Sequence, residues 1–272
     1  MKLRFRPTTV FMSSMAMVVA TLSASAQELR IGGTGSVTEA MRRLAPAFQA
    51  DTGITLTVLP SLGTTGANNA LMDGKLGLAV GGRDLRDKEK ARGLQVSGHL
   101  RTPFGFVTSR AGPDNLRKAD IVGLYQADDP SWPDGMPLLF VLRPVDESDN
   151  EVLAAFFPGM AGATAQLRKR RYIAVAATDQ DNADAAERTK GSLVAATLSQ
   201  VKAEGRNLRF VAIDGALPTI QAYLDGSYPY VKLLYLVTPA VPSGEAKAFL
   251  DFLAEPKMQA KLNELGLIAG AR

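Results

Sequence analysis

A strand, a glycine-rich loop and a helix follow one another where the sequence reads LRIGGTGSVTE, from Leu29 to Glu39. Leu29–Ile31 is typical of a short β-strand, and the loop 32–36 contains glycines that leave its backbone accessible. Apolar residues recur at helical spacing after Thr38, which predicts a helix that Pro46 should kink or shorten. Because a helix N-terminus carries unpaired N–H groups and partial positive charge, this junction is a candidate anion site.

Two further junctions along the chain have the same design. Residues 61–66, SLGTTG, form a polar loop before a short helix, and Arg143 ends a strand shortly before residues 148–151, SDNE. Residues 36–39 and 148–151 both fit the capping box of a helix start. Hydroxyl groups and the guanidinium of Arg143 would add donors suited to an oxyanion. Together the three junctions predict a site for a small anion.

The glycine loop does not fit the two common phosphate-binding fingerprints. A dinucleotide-binding G-x-G-x-x-G motif would need glycine where Thr38 stands, and no Gly-Lys-Ser/Thr follows as in a P-loop. The sequence therefore favours a free small anion over a nucleotide.

Strand-like and helix-like runs alternate along the rest of the chain, which is typical of an α/β protein. The patterns predict strands over 104–108, 138–142, 172–177 and 233–237, and C-terminal helices over 244–254 and 256–265. Residues 178–181, TDQD, predict a further helix cap, with a cleft-lining role as the alternative. Flexible joints are expected around 102–105 and 226–232.

Residue usage excludes several kinds of chemistry. The chain of 272 residues has no cysteine and one histidine, so disulfides, thiol nucleophiles and Cys- or His-based metal sites are not expected. We expect no cofactor and no metal. Catalysis would have to use carboxylates, Lys, Ser, Thr or Tyr.

The first 26 residues have the pattern of a cleaved signal peptide. Three basic residues precede an apolar stretch from Val10 to Leu22, and Ala24–Ala26 forms an A-x-A cleavage site. Cleavage after Ala26 would lower the formal net charge from +4 to +1, because the segment holds three basic and no acidic residues. We therefore expect a periplasmic protein without a lipid anchor, since no cysteine follows the site. The basic run 168–171 is expected to be a solvated helix end, not a nucleic-acid surface.

Several of these segments, in this order, resemble the periplasmic phosphate-binding proteins of ABC-type uptake systems. The most specific is the Gly-x-Tyr-Pro segment that precedes an apolar strand. The matching segments are GTGS (33–36), SLGTTGA (61–67), LAV (78–80) followed by GRDL (82–85), VLR (141–143), TKGSL (189–193), and DGSYPY (225–230) followed by LLY (233–235).

The resemblance implies a two-lobed type 2 periplasmic-binding-protein fold, α/β in class, with a mixed sheet flanked by helices in each lobe. It places the first lobe in residues 27–104 and 233–272, the second in 105–232, and the signal peptide in 1–26. The implied function is capture of a small oxyanion, phosphate first, by a monomer that delivers it to a membrane ABC permease or a sensor. The ligand-binding residues implied are Thr34, Gly35, Ser36, Gly63, Thr64, Arg143, Ser148 and Asp149.

Two departures from the family pattern leave alternatives open. Gly82-Arg83 stands where the family commonly has Asp or Ser-Arg, and Glu147–Asn150 replaces its Gly-Ser-Gly-Thr segment. Carboxylates at Asp146, Glu147 and Asp149 would repel a dianion unless they point away or accept its proton. The alternatives are a carboxylate-dependent hydrolase or transferase on the same fold, and a partner-binding protein whose ligand pocket has decayed.

Overall fold

The computed structural model describes residue 1, residues 27–112 and residues 114–270. Apart from its first residue, the expected signal peptide lies outside the described residues. The strands are β1 (Glu28–Gly33), β2 (Thr55–Val58), β3 (Leu78–Gly81), β4 (Leu94–Thr108), β5 (Asn115–Leu116), β6 (Leu139–Leu142), β7 (Ala174–Val175), β8 (Ser192–Thr197), β9 (Arg209–Phe210), β10 (Ala212–Ile213), β11 (Val231–Pro239) and β12 (Ile268–Ala269). The helices are α1 (Gly35–Thr52), α2 (Gly63–Met72), α3 (Asp87–Ala91), α4 (Lys118–Gln126), α5 (Ser148–Phe156), α6 (Met160–Leu167), α7 (Asp179–Arg188), α8 (Leu198–Glu204), α9 (Ile220–Leu224), α10 (Gly244–Ala254) and α11 (Met258–Glu264).

The main sheet is mixed and runs in the order β2-β1-β3-β11-β4-β8-β6-β7. β1 is parallel to β2 and β3, and β6 is parallel to β7 and β8. β11 is antiparallel to β3 and β4, and β4 is antiparallel to β8. Parallel strands joined by helices on either side of a long antiparallel pair confirm the predicted α/β class.

Apolar side chains gather in two separate regions along this sheet. One region contains apolar residues from 29–100 and 234–267, together with Ala203. It includes the contact between the rings of Phe48 and Phe249, whose centres lie 5.1 Å apart. Residues from 104–230 form the other region. We call the elements around these two regions the first lobe and the second lobe.

Two neighbouring strands carry the chain between the lobes. On β4, Leu100 packs in the first lobe and Phe104 in the second. On β11, Leu234 packs in the first lobe, while Tyr230 just before the strand packs in the second. The expected joint at 102–105 lies inside the continuous strand β4, not in a loop. The lobe boundaries at 104/105 and 232/233 stay a prediction.

Several helix starts differ from the sequence-based expectation. α1 begins at Gly35 and passes through Pro46, which does not shorten it; one face still buries Met41, Leu44 and Phe48. α2 begins at Gly63, four residues before the expected start. Both predicted capping boxes are wrong, because Thr34 and Glu147 are the N-cap residues and neither side chain caps its helix. Ser36 and Ser148 therefore lie inside their helices, and their hydroxyls are not used as caps.

The predicted strand 172–177 is reduced to the two residues of β7. Tyr172 has a left-handed backbone with φ of 67°, which a strand does not allow. Of the helices in the part of the chain that the structure describes, none has both the length and the apolar character needed to span a membrane.

Candidate functional site

The predicted binding residues lie at the ends of neighbouring elements, and all of them are buried except Gly63, which is half-buried. Thr34 and Ser36 are at the start of α1, Thr64 is in the first turn of α2, and Ser148 and Asp149 open α5. The starts of α2 and α5 approach each other across the lobes, since a Cβ atom at Gly63 would lie 3.6 Å from a Glu147 carboxylate oxygen. Each helix start carries partial positive charge. Arg143 follows β6 and is also buried.

Hydroxyl groups link the helix starts to β3. The Thr34 and Ser36 hydroxyls are 3.1 Å apart, and the Gly82 N–H donates to the Thr64 hydroxyl at 2.9 Å. Gly82 also lies directly against Ser148, so a Cβ atom at position 82 would collide with the Ser148 hydroxyl. The departure at Gly82 thus leaves room for α5 to approach, which a larger residue would prevent.

Arg143 is held within the second lobe, beside two carboxylates. Its Nη1 donates to the Ala176 carbonyl at 2.6 Å. Its Nη2 is 3.5 Å from a Glu147 carboxylate oxygen and 3.7 Å from one of Asp179. Its buried Nε has no hydrogen-bond partner among the described residues. The guanidinium is therefore held in place with donor capacity left over.

Ser148 is the second polar group of the site with unused capacity. Its hydroxyl is buried and has no hydrogen-bond partner among residues 27–112 and 114–270. Leaving a buried polar atom unpaired costs about 1–3 kcal/mol, so proteins rarely keep one without a use. The unpaired hydroxyl and the unpaired Nε of Arg143 are what a bound oxyanion would satisfy.

Lys232, which the sequence analysis did not select, lies at the start of β11 and is 1% exposed. Its ammonium group forms a buried ion pair with Asp149. Burial alone would lower the pKa of Lys232, but the charges of Asp149 and Asp179 outweigh it and raise that pKa above its ordinary value. A charged residue interrupting the apolar run 231–237 was the signal that could have found it.

Asp179 belongs to the segment 178–181, for which the sequence predicts a helix cap with a cleft-lining role as the alternative. The predicted cap at 178–181 is confirmed, since the Thr178 hydroxyl accepts from the Asp181 N–H at 3.0 Å. Asp179 itself is buried and accepts a hydrogen bond of 3.4 Å from the Thr34 hydroxyl, across the lobes. Burial and the charge of Asp149 raise the pKa of Asp179, which Lys232 and Arg143 oppose.

The carboxylates that raised doubt about a dianion take different directions. Asp146 is exposed, whereas Asp149 turns inward to Lys232. Glu147 is half-buried, and burial raises its pKa although Arg143 opposes this. The cluster therefore places the carboxylates of Glu147, Asp149 and Asp179 against two cations, Arg143 and Lys232. With all five groups ionised it carries a net charge of about −1, which makes protonation of a carboxylate easier.

Comparison with known proteins places this chain in a family. A model described as the PBP superfamily domain matches residues 18–257. The chain belongs to the PBP superfamily. This membership confirms the predicted periplasmic-binding-protein fold, and it identifies a binding protein, not an enzyme. No curated protein matches the sequence significantly.

Solved structures share the fold of this PBP superfamily protein at low sequence identity. A candidate phosphate ABC transporter substrate-binding protein of Clostridium perfringens, with bound phosphate, has a TM-score of 0.74 at 18% identity; the match covers 90% of this chain and all of that one. An ABC-type phosphate transport receptor of Vibrio cholerae has a TM-score of 0.60 at 17% identity, covering 88% and 99%. A tungstate-binding protein of Desulfovibrio alaskensis has a TM-score of 0.57 at 18% identity, covering 91% and 100%.

Proposed function

We propose that this protein captures a small oxyanion, phosphate first, between its two lobes and passes it to an ABC permease or a sensor. The observation that carries the proposal is a pair of buried donors that have no hydrogen-bond partner among the described residues, the Ser148 hydroxyl and the Arg143 Nε, close to the start of α5. Buried donors that lie beside a helix N-terminus fit a ligand that is anionic and rich in acceptor oxygens. The proposed ligand-binding set is Thr34, Gly35, Ser36, Gly63, Thr64, Arg143, Ser148 and Asp149.

The descriptions of the structurally similar proteins support an oxyanion ligand. Two of these proteins are described as phosphate-transport components and one as a tungstate-binding protein. The proposal includes export to the periplasm, with the signal peptide removed after Ala26, and function as a monomer. No lipid anchor is part of it.

A second candidate function is partner binding by a protein whose ligand site has decayed. The excess of carboxylates over cations favours it, because Asp149 already neutralises Lys232 and Asp179 lies beside Arg143. In that case the cluster would hold the lobes together and bind no free anion.

Calorimetric titration of residues 27–272 with phosphate, sulfate, molybdate and tungstate tests the proposal. Hydrogen bonds to a charged group contribute about 1.5–3 kcal/mol, so Arg143→Ala should weaken binding by about 10- to 100-fold. Ser148→Ala should weaken it by about tenfold and leave folding stability intact, because the hydroxyl has no hydrogen-bond partner to lose among the described residues.

Ser199→Ala is the matched control. Like Ser148, Ser199 is buried and its hydroxyl has no hydrogen-bond partner among the described residues. Unlike Ser148, it lies in α8 beside Gly266 and outside the proposed binding set. It should leave affinity unchanged. If the wild type binds none of the four anions, or binds one that Arg143→Ala and Ser148→Ala bind equally well, the oxyanion proposal is wrong.

A further inference from the structure

Asp179 crosses from the second lobe to the start of α1 in the first. It is the first residue of α7, but Thr178 and Asp181 complete the cap of that helix between them. The Asp179 carboxylate is therefore not needed to start its own helix. It turns to the opposite lobe and becomes buried there.

At the start of α1 the carboxylate has the surroundings of a bound anion. It accepts from the Thr34 hydroxyl at 3.4 Å, lies against the backbone of Gly35, and is 3.7 Å from Arg143 Nη2. A Cβ atom at Gly35 would be 2.7 Å from its Oδ2, so the approach requires glycine. A carboxylate and a small oxyanion offer the same features to these donors, namely negative charge and acceptor oxygens.

The donors around Asp179 are those that the proposed function assigns to the ligand. The Thr34 hydroxyl and the Arg143 guanidinium cannot hold Asp179 and a second anion in the same position at once. An ionised Asp179 would also repel an incoming anion at this distance. Two uncharged contacts also join the lobes here. The Gln180 side chain donates to the Gly35 carbonyl at 3.0 Å, and the Thr197 hydroxyl donates to the Ser36 carbonyl at 3.2 Å.

We infer that Asp179 is an affinity-determining residue that acts as an internal competitor, occupying the anion position at α1 until an oxyanion displaces it. The inference rests on the proposed oxyanion function and assigns to Asp179 an effect opposite to that of the binding residues. Removal of its charge should strengthen anion binding, whereas removal of a ligand contact would weaken it.

Acid should have the same effect as removal of the charge. The groups that face Asp179 are Asp149 on α5, Lys232 on β11, Arg143 after β6 and Glu147 before α5. Burial and Asp149 raise the pKa of Asp179, so it accepts a proton sooner than an exposed aspartate as the pH falls. Sulfate keeps its charge over this range, so its affinity for the wild type should rise with acidity.

Titration calorimetry of Asp179→Asn, which keeps the shape and removes the charge, tests the inference with phosphate and sulfate. We expect binding about tenfold tighter or more than in the wild type, and a flatter pH dependence for sulfate. Asp179→Ala, as a second variant without the side chain, should also bind more tightly. Asp146→Asn removes the same charge from an exposed side chain nearby and should change affinity less than about twofold.

Equal or weaker binding by both Asp179 variants, with the wild type binding normally, overturns the inference and leaves the proposed function standing. Weaker binding of phosphate alone would instead make Asp179 a ligand contact that accepts the proton of hydrogen phosphate. Failure of the wild type to bind any of the oxyanions refutes the proposed function, and the inference with it. Tight binding by Asp179→Asn where the wild type binds weakly supports both.

Discussion

Lys232→Met tests how much the buried ion pair of the site stabilises the protein. Methionine keeps most of the volume of the lysine stem and removes the charge, leaving Asp149 without its partner in a place where both side chains are at most 5% exposed. Removing one member of a buried pair costs about 3–5 kcal/mol, because the remaining charge is uncompensated. Arg143 faces the same cluster and relieves part of this, so we expect the free energy of unfolding to fall by about 3 kcal/mol.

Urea unfolding, followed by circular dichroism, measures the change. The double variant Asp149→Asn with Lys232→Met should recover about 2 kcal/mol, because the neutral amide no longer needs a counter-ion. Lys257→Met is the control: Lys257 pairs with Asp51 and Glu255 on the surface, and its loss should leave the unfolding midpoint unchanged. If Lys232→Met is as stable as the wild type, or if the double variant recovers nothing, the assignment of a stabilising buried pair is wrong.

Two further predictions concern acid stability and export. Glu89 is buried, and its carboxylate accepts hydrogen bonds of 2.9 Å from both terminal nitrogens of Arg83. Burial alone would raise the pKa of Glu89, but the hydrogen bonds from the Arg83 side chain and the Arg86 backbone lower it to about 2. The ionised Glu89 therefore stabilises the protein fully above its ordinary pKa of 4.5, and this stabilisation is lost as the pH falls towards 2. The urea midpoints of the wild type and Glu89→Gln should converge over that interval. A difference between the two midpoints that does not change with pH would contradict the prediction. Intact-mass measurement of the exported protein should give a chain that begins at Gln27, and a product that retains residues 2–22 would count against cleavage.

The sequence determined the class of the protein and the kinds of group in its site. Each strand–loop–helix junction is a local pattern, in which glycine, hydroxyl residues and a helix start are close together along the chain. Thr34, Ser36, Thr64 and Ser148 could therefore be selected as donors before any contact was known. The same local reasoning selected Arg143, because it was expected at the end of a strand, and in the structure it directly follows β6.

Helix starts were predicted less well than helices, since an N-cap depends on how the chain enters the helix. Ser36 and Ser148 fit the capping pattern, yet Thr34 and Glu147 occupy the N-cap positions. The entry of α1 is fixed by a hydrogen bond from the Thr34 N–H to the Val80 carbonyl on β3, a distant part of the chain. The consequence is functional, because a Ser148 hydroxyl used as a cap would not be free for a ligand.

Only the tertiary structure decided which charges meet. Lys232 and Asp149 are 83 residues apart, and Thr34 and Asp179 are 145 residues apart. Their contacts follow from the pairing of β11 with β4 and from the approach of α7 to α1, neither of which a local pattern specifies. Composition and spacing set which donors and carboxylates the chain possesses. Long-range packing sets their distances and burial, and because electrostatic energies depend on both, it decides whether the site accepts an anion freely or must first release one of its own.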